Sequence, residues 1–257
     1  MAYMPPPASL VAPQFKEWVV KKIGVPLLQE ADWAQAALPN PKFGAFNDGT
    51  GSIARETTNF YWGGSGSCKM LTDAVIGHSS EVKASIGSIL QPGELLAFEM
   101  KWVQQFGFGN TQIHMGIESR DITNIIHSRF RWTPQIGVWQ MENPDTTYSD
   151  FPASVGGPLA ITKPTVNTAA GSIVAWCRSV VDPWNKMFVS FEAAGSSTKL
   201  EVRDLRPLGL PLVKEGTSGG NPIYLFFVLV QTQTNNAEPA YTTDWCVSKI
   251  PAGISPF

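Results

Sequence analysis

Charge is scarce in this chain. Only 16% of its 257 residues are charged, against roughly 25% in ordinary soluble domains. Nineteen Lys and Arg against 21 Asp and Glu leave a net charge of −2, and no block of like charge interrupts the sequence. A nucleic acid or an anionic membrane surface would call for a basic stripe, so neither is expected as a partner. There is no apolar run of the ~18 residues or more that a spanning helix needs, so membrane insertion is not expected either. The opening Met1-Ala2-Tyr3-Met4-Pro5-Pro6-Pro7 lacks the basic head and apolar stretch of a signal peptide. Either the protein is used without that route or the signal has been removed.

Cysteine is equally sparse. Cys68, Cys177 and Cys246 are an odd set with no Cys-x-x-Cys spacing, so they form neither a disulfide framework nor a metal knuckle. They read as three small buried hydrophobes. No His, Cys or carboxylate cluster has the spacing of a transition-metal site. Calcium, through Asp48 or Asp145, is the one cofactor left open. The glycine clusters Asn47-Asp48-Gly49-Thr50-Gly51 and Gly63-Gly64-Ser65-Gly66-Ser67 precede no helix and lack the Lys-Ser/Thr ending of a phosphate loop, which sets nucleotide binding aside. No fixed-period repeat supports a propeller or solenoid.

What the chain has in quantity is alternation. In Leu95 to Trp102, residues Phe98, Met100 and Trp102 point one way and Glu99 and Lys101 the other, because neighbouring side chains on a strand alternate. Gln112 to Glu118 sets Ile113, Met115 and Ile117 against Gln112, His114 and Glu118. Ile126, Ser128, Phe130 and Trp132 alternate with His127, Arg129 and Arg131. The period of two predicts three successive strands side by side in one layer of a two-layer sandwich.

Further strands are expected at Cys68 to Leu71, Ser85 to Leu90, Gln135 to Met141, Ser172 to Val180, Lys186 to Glu192, Leu200 to Leu205, Ile223 to Gln231 and Asp244 to Ile250. Ile223 to Val230 is apolar on both faces and predicts a central strand. Asn143 to Pro164, with Asp145, Tyr148 and Asp150, reads as a polar connection, first as an ordinary surface excursion and second as the lining of a site. About ten to twelve strands without intervening helices exclude a βαβ architecture. One β-sandwich domain is expected over residues 43–257, preceded by a Pro-rich, helical arm over residues 1–42. In the arm, Phe15, Trp18, Val19 and Ile23 fall at helical spacing, with Pro13 near the first turn and Gly24 as a stop. Glu30 to Leu38 is a second helix candidate.

The layout of residues Phe43 to Ile250 resembles the concanavalin A-like lectin and glucanase superfamily of jelly-roll sandwiches. Gly64-Ser65-Gly66-Ser67-Cys68-Lys69-Met70-Leu71 is similar to the early strand of such domains, and Asp244-Trp245-Cys246-Val247 to the closing one. The resemblance implies that first and last strands lie close, which would allow a bridge between Cys68 and Cys246. It also implies a sugar site on the concave sheet face. The expected ligand-binding set is then Glu99, Lys101, Gln112, His114, Glu118, His127, Arg129 and Arg131. Trp62, beside a glycine-rich loop, is the best exposed aromatic for stacking, with Trp184 a second.

Glycoside hydrolysis is disfavoured. The glucanases of this superfamily carry Glu-x-Asp-x-x-Glu on one strand, and no sandwich strand here has it. Gln112-Ile113-His114 resembles the Gln-Ile-His strand of jelly-roll alginate lyases, which implies Gln112 at a uronate carboxyl and His114 as base; Arg129 and Arg131 are the residues that could bind an acidic sugar. The Arg-rich strand and Tyr-x-Lys-x-Gly strand of those enzymes are missing. The sequence therefore favours a non-catalytic structural or interaction subunit of a virion, appendage or extracellular surface assembly, self-associating through its arm. A carbohydrate-binding module is the first alternative and a polysaccharide lyase the second.

Overall fold

The computed structural model describes residues 25–30, 43–57, 67–87, 90–104, 111–120, 124–133, 136–161, 173–195, 200–216, 223–233 and 239–257. They form an all-β sandwich of two antiparallel sheets, with 17 strands among the described residues. In chain order these are β1 (Val25–Glu30), β2 (Phe43–Asn47), β3 (Ser52–Glu56), β4 (Ser67–Leu71), β5 (Ser79–Gly87), β6 (Leu95–Gln104), β7 (Thr111–Arg120), β8 (Ile125–Thr133) and β9 (Val138–Glu142). There follow β10 (Tyr148–Asp150), β11 (Leu159–Ala160), β12 (Ile173–Asp182), β13 (Met187–Gly195), β14 (Glu201–Asp204), β15 (Val213–Gly216), β16 (Ile223–Thr232) and β17 (Ala240–Ile250).

The first sheet runs β14-β13-β12-β6-β17-β4-β3, with β1 also paired to β17. The second runs β10-β9-β8-β7-β16-β5-β2, with β11 on β9 and β15 on β8. Strand β16 is central as its two-sided apolar run predicts, flanked by β7 and β5. Strand β1 falls inside the stretch assigned to the arm, and Glu30 ends a strand rather than starting a helix. The helix candidate over Phe15 to Ile23 lies outside the described residues.

One expectation about layers is overturned. Strands β7 and β8 are neighbours, Met115 opposite Phe130 and Gly116 opposite Arg129, but β6 lies in the other sheet between β12 and β17. The apolar sides of β6, β7 and β8 all face the core, so their alternation is real. Their polar sides point outward in opposite directions.

The core between the layers is aromatic. Trp102 of the first sheet meets Trp132 of the second at 5.1 Å between ring centroids, and Phe130 of the second stacks on Phe191 of the first at 4.3 Å. Phe98 and Trp245 on one side meet Phe226 and Phe43 on the other at 5.7 and 5.3 Å. Offset and edge-on contacts of this kind contribute ~0.5–1.5 kcal/mol per pair beyond area burial. Trp102, Trp132 and Trp245 are thus core residues, as their places on the apolar sides imply.

The outside of the first sheet carries a buried polar row of its own. There β13, β12 and β6 set Glu192, Arg178 and Glu99 in one row. Arg178 Nε lies 3.1 Å from Glu99 and its Nη1 lies 3.1 Å from Glu192. Nη1 also donates to the Pro256 carbonyl at 2.9 Å, which ties the C-terminal residues to this face. All three side chains are buried.

Candidate functional site

The outer face of the second sheet follows from strand register. Residues directly opposite in neighbouring strands share a face. One row therefore reads Glu81, Leu229, His114, Arg131, Gln140 and Asp150 across β5, β16, β7, β8, β9 and β10. The adjacent row carries Lys83, Phe227, Gly116 and Arg129, with Tyr148 opposite Glu142 at its far end. Two rows of polar groups, punctuated by aromatic rings, thus cross the sheet.

Four members of this face are nearly closed to water although they lie outside the core: Gln112, His114, His127 and Glu142 are between 2% and 5% exposed. Buried polar groups need partners, and most have them. Gln112 Nε2 donates to Thr133 Oγ1 at 3.2 Å. His127 Nε2 sits 2.6 Å from Glu142 Oε2, while Arg129 Nη1 approaches Glu142 Oε1 at 3.7 Å. Arg131 Nε donates to Gln140 Oε1 at 2.9 Å, and Gln140 Nε2 in turn donates to Asp150 Oδ1 at 2.9 Å. Glu118 is paired with Arg120.

At the centre stands a three-part stack. The Arg131 guanidinium lies 4.0 Å from the Tyr148 ring centroid, and that ring meets the His114 imidazole edge-on at 5.7 Å. The Tyr148 hydroxyl is 3.4 Å from His114 Nδ1. A cation on an aromatic face is attracted by the ring quadrupole, so the stack positions both rings.

Burial, then the nearby charges of Arg129 and Arg131, holds the His114 pKa well below the usual histidine range. The ring is neutral at pH 7. Burial pushes the Tyr148 phenol up to about 12, against the opposing pull of Arg129, so it keeps its proton. The pair is chemically a neutral base beside a protonated weak acid.

The expected residues divide as follows. Gln112, His114, Glu118, His127, Arg129 and Arg131 share this face. Glu99 and Lys101 do not: β6 belongs to the first sheet, and Glu99 is buried against Arg178 on that sheet's outer side. Burial and the neighbouring Glu192 charge outweigh the Arg178 attraction and push the Glu99 pKa up to about 8. Trp62 lies outside the described residues. Trp184 is half exposed on the β12–β13 turn, away from the face.

The two-cysteine bridge is also overturned, since all three cysteines are free and buried. Cys68 pairs in register with Thr242 rather than Cys246 and packs in the core, whereas Cys246 registers with Glu99 on the outer side. Among the described residues no three His, Cys, Asp or Glu side chains gather as a metal site. Asp145 is taken up by the backbone and hydroxyl of Thr147.

Tyr148 was not in the expected set because Asn143 to Pro164 reads as a polar connection, and Glu142 because it falls just past the strand expected over Gln135 to Met141. Asn143 to Thr147 is instead the turn of a short hairpin between β9 and β10, closed by Asn143 N donating to the Thr147 carbonyl at 2.8 Å and by Thr146 N donating to the Asn143 carbonyl at 2.9 Å. The Asn-Pro-Asp turn chemistry between Met141 and Tyr148 was the available signal.

No protein-family model matches the chain, and no curated protein matches it in sequence. Solved structures do match. A protein of unknown function from Shewanella oneidensis MR-1 superposes with a TM-score of 0.52 at 9% identity, over 99% of each chain. A carbohydrate esterase of the Shiga toxin-encoding bacteriophage phi24B superposes with a TM-score of 0.51 at 10% identity, over 88% of this chain and 98% of the other. Lectin I-B4 from Griffonia simplicifolia matches at a TM-score of 0.43 and 8% identity, over 86% and 97%. The fold shared with the Shewanella and phage proteins is a two-sheet antiparallel β-sandwich. At these identities the likeness speaks for the architecture alone, since one such sandwich can carry many functions.

Proposed function

We propose that the protein binds a glycan through the outer face of its second sheet. The observation that carries this reading is the Arg131–Tyr148–His114 stack set among Gln112, Gln140 and Arg129. Sugar recognition asks for a ring to lie against the pyranose and for rigid polar groups around it. The stack supplies the ring, and hydrogen bonds to Thr133 and Asp150 hold the neighbouring amides of Gln112 and Gln140 in place. No catalytic group is required, so the reading accommodates a non-catalytic subunit of a larger surface assembly.

Affinity electrophoresis against a panel of neutral and acidic polysaccharides tests it. The wild type is expected to be retarded by at least one polymer. Tyr148→Ala and Arg131→Ala should weaken retardation by about tenfold, the ~1–3 kcal/mol of a lost stacking or charged contact. Trp184→Ala should be retarded like the wild type. A wild type that no glycan retards, or a Tyr148→Ala protein retarded as strongly as it, removes the proposal.

A second reading is favoured by the Tyr148 hydroxyl beside His114. In a β-elimination on a polyuronate, His114 would take the proton next to the carboxyl and Tyr148 would protonate the leaving glycosidic oxygen, so that a C–O bond breaks and a C=C bond forms. Binding comes first because His114 Nε2 has no exposed surface. Ultraviolet absorbance of the unsaturated product, followed in the same polyuronate mixtures, decides: an inert wild type ends the lyase reading and leaves the binding one standing.

A further inference from the structure

The stack contains one group with nothing to bind. His114 Nδ1 faces Tyr148, but Nε2 has no hydrogen-bond partner among the described residues, on a side chain only 4% exposed. Every packed element contributes to its surroundings. Strand β8 presents Arg131 and Arg129, β10 presents Tyr148 and Asp150, and β9 presents Gln140 and Glu142, the latter already held by His127. Strand β16 offers only Leu229 opposite His114, and beyond it Glu81 of β5 is paired with Lys83. Two guanidiniums therefore flank the imidazole, while Glu142 and Asp150 each answer another partner first.

We propose that this site takes the anionic group of an acidic glycan, a carboxylate or a sulfate ester, and that His114 takes up a proton as the anion binds. Arg129 and Arg131 hold the anion, and the protonated imidazole, a donor at both nitrogens, donates Nε2–H to one of its oxygens. The inference rests on the glycan-binding reading and adds to it the ligand's charge and a coupling to pH. In the free protein, burial and the two arginines oppose a further positive charge on the ring. An anion between them reverses that field and supplies the missing partner, which raises the histidine pKa. Because Nε2 is covered, the ligand has to displace the side chains above it to reach it.

The sign follows from linkage. With the bound pKa above the free one, binding takes up a proton between the two, so affinity rises as pH falls through that window. The test is equilibrium binding of the full chain to a polyuronate, a sulfated galactan and a neutral β-glucan, from pH ~8 to pH ~5, where sulfate stays ionised and His titrates. The anionic polymers are expected to bind more tightly toward acid, by up to about tenfold per pH unit, and the neutral one to show no pH trend. His114→Gln should bind without the trend, and Arg131→Gln should bind anions more weakly at every pH. The imidazole resonances of wild-type His114 should titrate at higher pH when the polyuronate is present, a readout independent of any variant's folding. Tighter binding of one anionic polymer only assigns the group as carboxylate or sulfate. Anion binding that ignores pH, or a neutral glucan bound as well as the acidic polymers, overturns this inference and leaves glycan binding intact; no binding to any of the three overturns both.

Discussion

Gly116 shows how one missing side chain shapes the outer face. It lies on β7 opposite both Phe227 and Arg129, and a Cβ there would come within 2.3 Å of the Phe227 ring and 2.5 Å of the Ser128 carbonyl. The ring occupies the space a side chain would take, and the Arg129 guanidinium lies 5.4 Å from its centroid. Gly116→Ala is therefore expected to cost ~1–3 kcal/mol through overpacking and to disturb Arg129. Chemical denaturation measures the cost, and Phe227→Leu in the same chain should recover part of it. The backbone carbonyl contact would remain, so full recovery would show that the clash is with the ring alone. At this scale the sequence was informative where alternation governs: His114, Arg129 and Arg131 fall on one face by counting twos along two adjacent strands. The partner-free Nε2 and the Tyr148 hydroxyl were beyond it, because contacts between distant segments have no local signature.

At the scale of strands, period and partner are separate pieces of information. Alternation tells which residues of a strand face the core, and it did so for β6, β7 and β8. It does not tell which sheet a strand joins. Consecutive strands are neighbours in roughly two-thirds of cases, and β6 is one of the others, which is why Glu99 and Lys101 left the expected site. The same parity argument governs the cysteines. On β17, Trp245 and Val247 face the core and Cys246 between them faces outward, whereas Cys68 on β4 faces in. A bridge between them would need one strand to turn over. Burial pushes the Cys246 thiol up to about 12 and the Cys68 and Cys177 thiols up as well, so all three should be slow to react. A thiol reagent without reductant is expected to count three thiols in denaturant and close to none in the native protein within minutes. A count of one in denaturant would mean that a disulfide forms after all.

Across the whole molecule, the two outer faces handle buried charge in opposite ways. The second sheet leaves a nitrogen of His114 without a partner among the described residues, in the field of Arg129 and Arg131. The first sheet seals Glu192, Arg178 and Glu99 into a row closed by the Pro256 carbonyl. Glu99 has its pKa raised to about 8, so it keeps its proton in the folded protein at pH 7 and gives it up on unfolding. Stability from this group is present in full below the ordinary carboxylate pKa and is lost as pH rises toward 8. Removing the cation alone strands two carboxyl groups, so Arg178→Met should cost on the order of 3–5 kcal/mol. Replacing the whole row, with Glu99→Met and Glu192→Leu added, should restore most of that loss, because well-packed apolar side chains often match a buried ion cluster. It should also flatten the decline of stability between pH ~5 and pH ~8. Thermal denaturation across that range reads both effects. Since the row and the Arg131–Tyr148–His114 stack lie on opposite sides of an aromatic core, the triple variant should bind glycans as the wild type does. Loss of binding in a folded triple variant would mean that the two faces are coupled through the sandwich rather than independent.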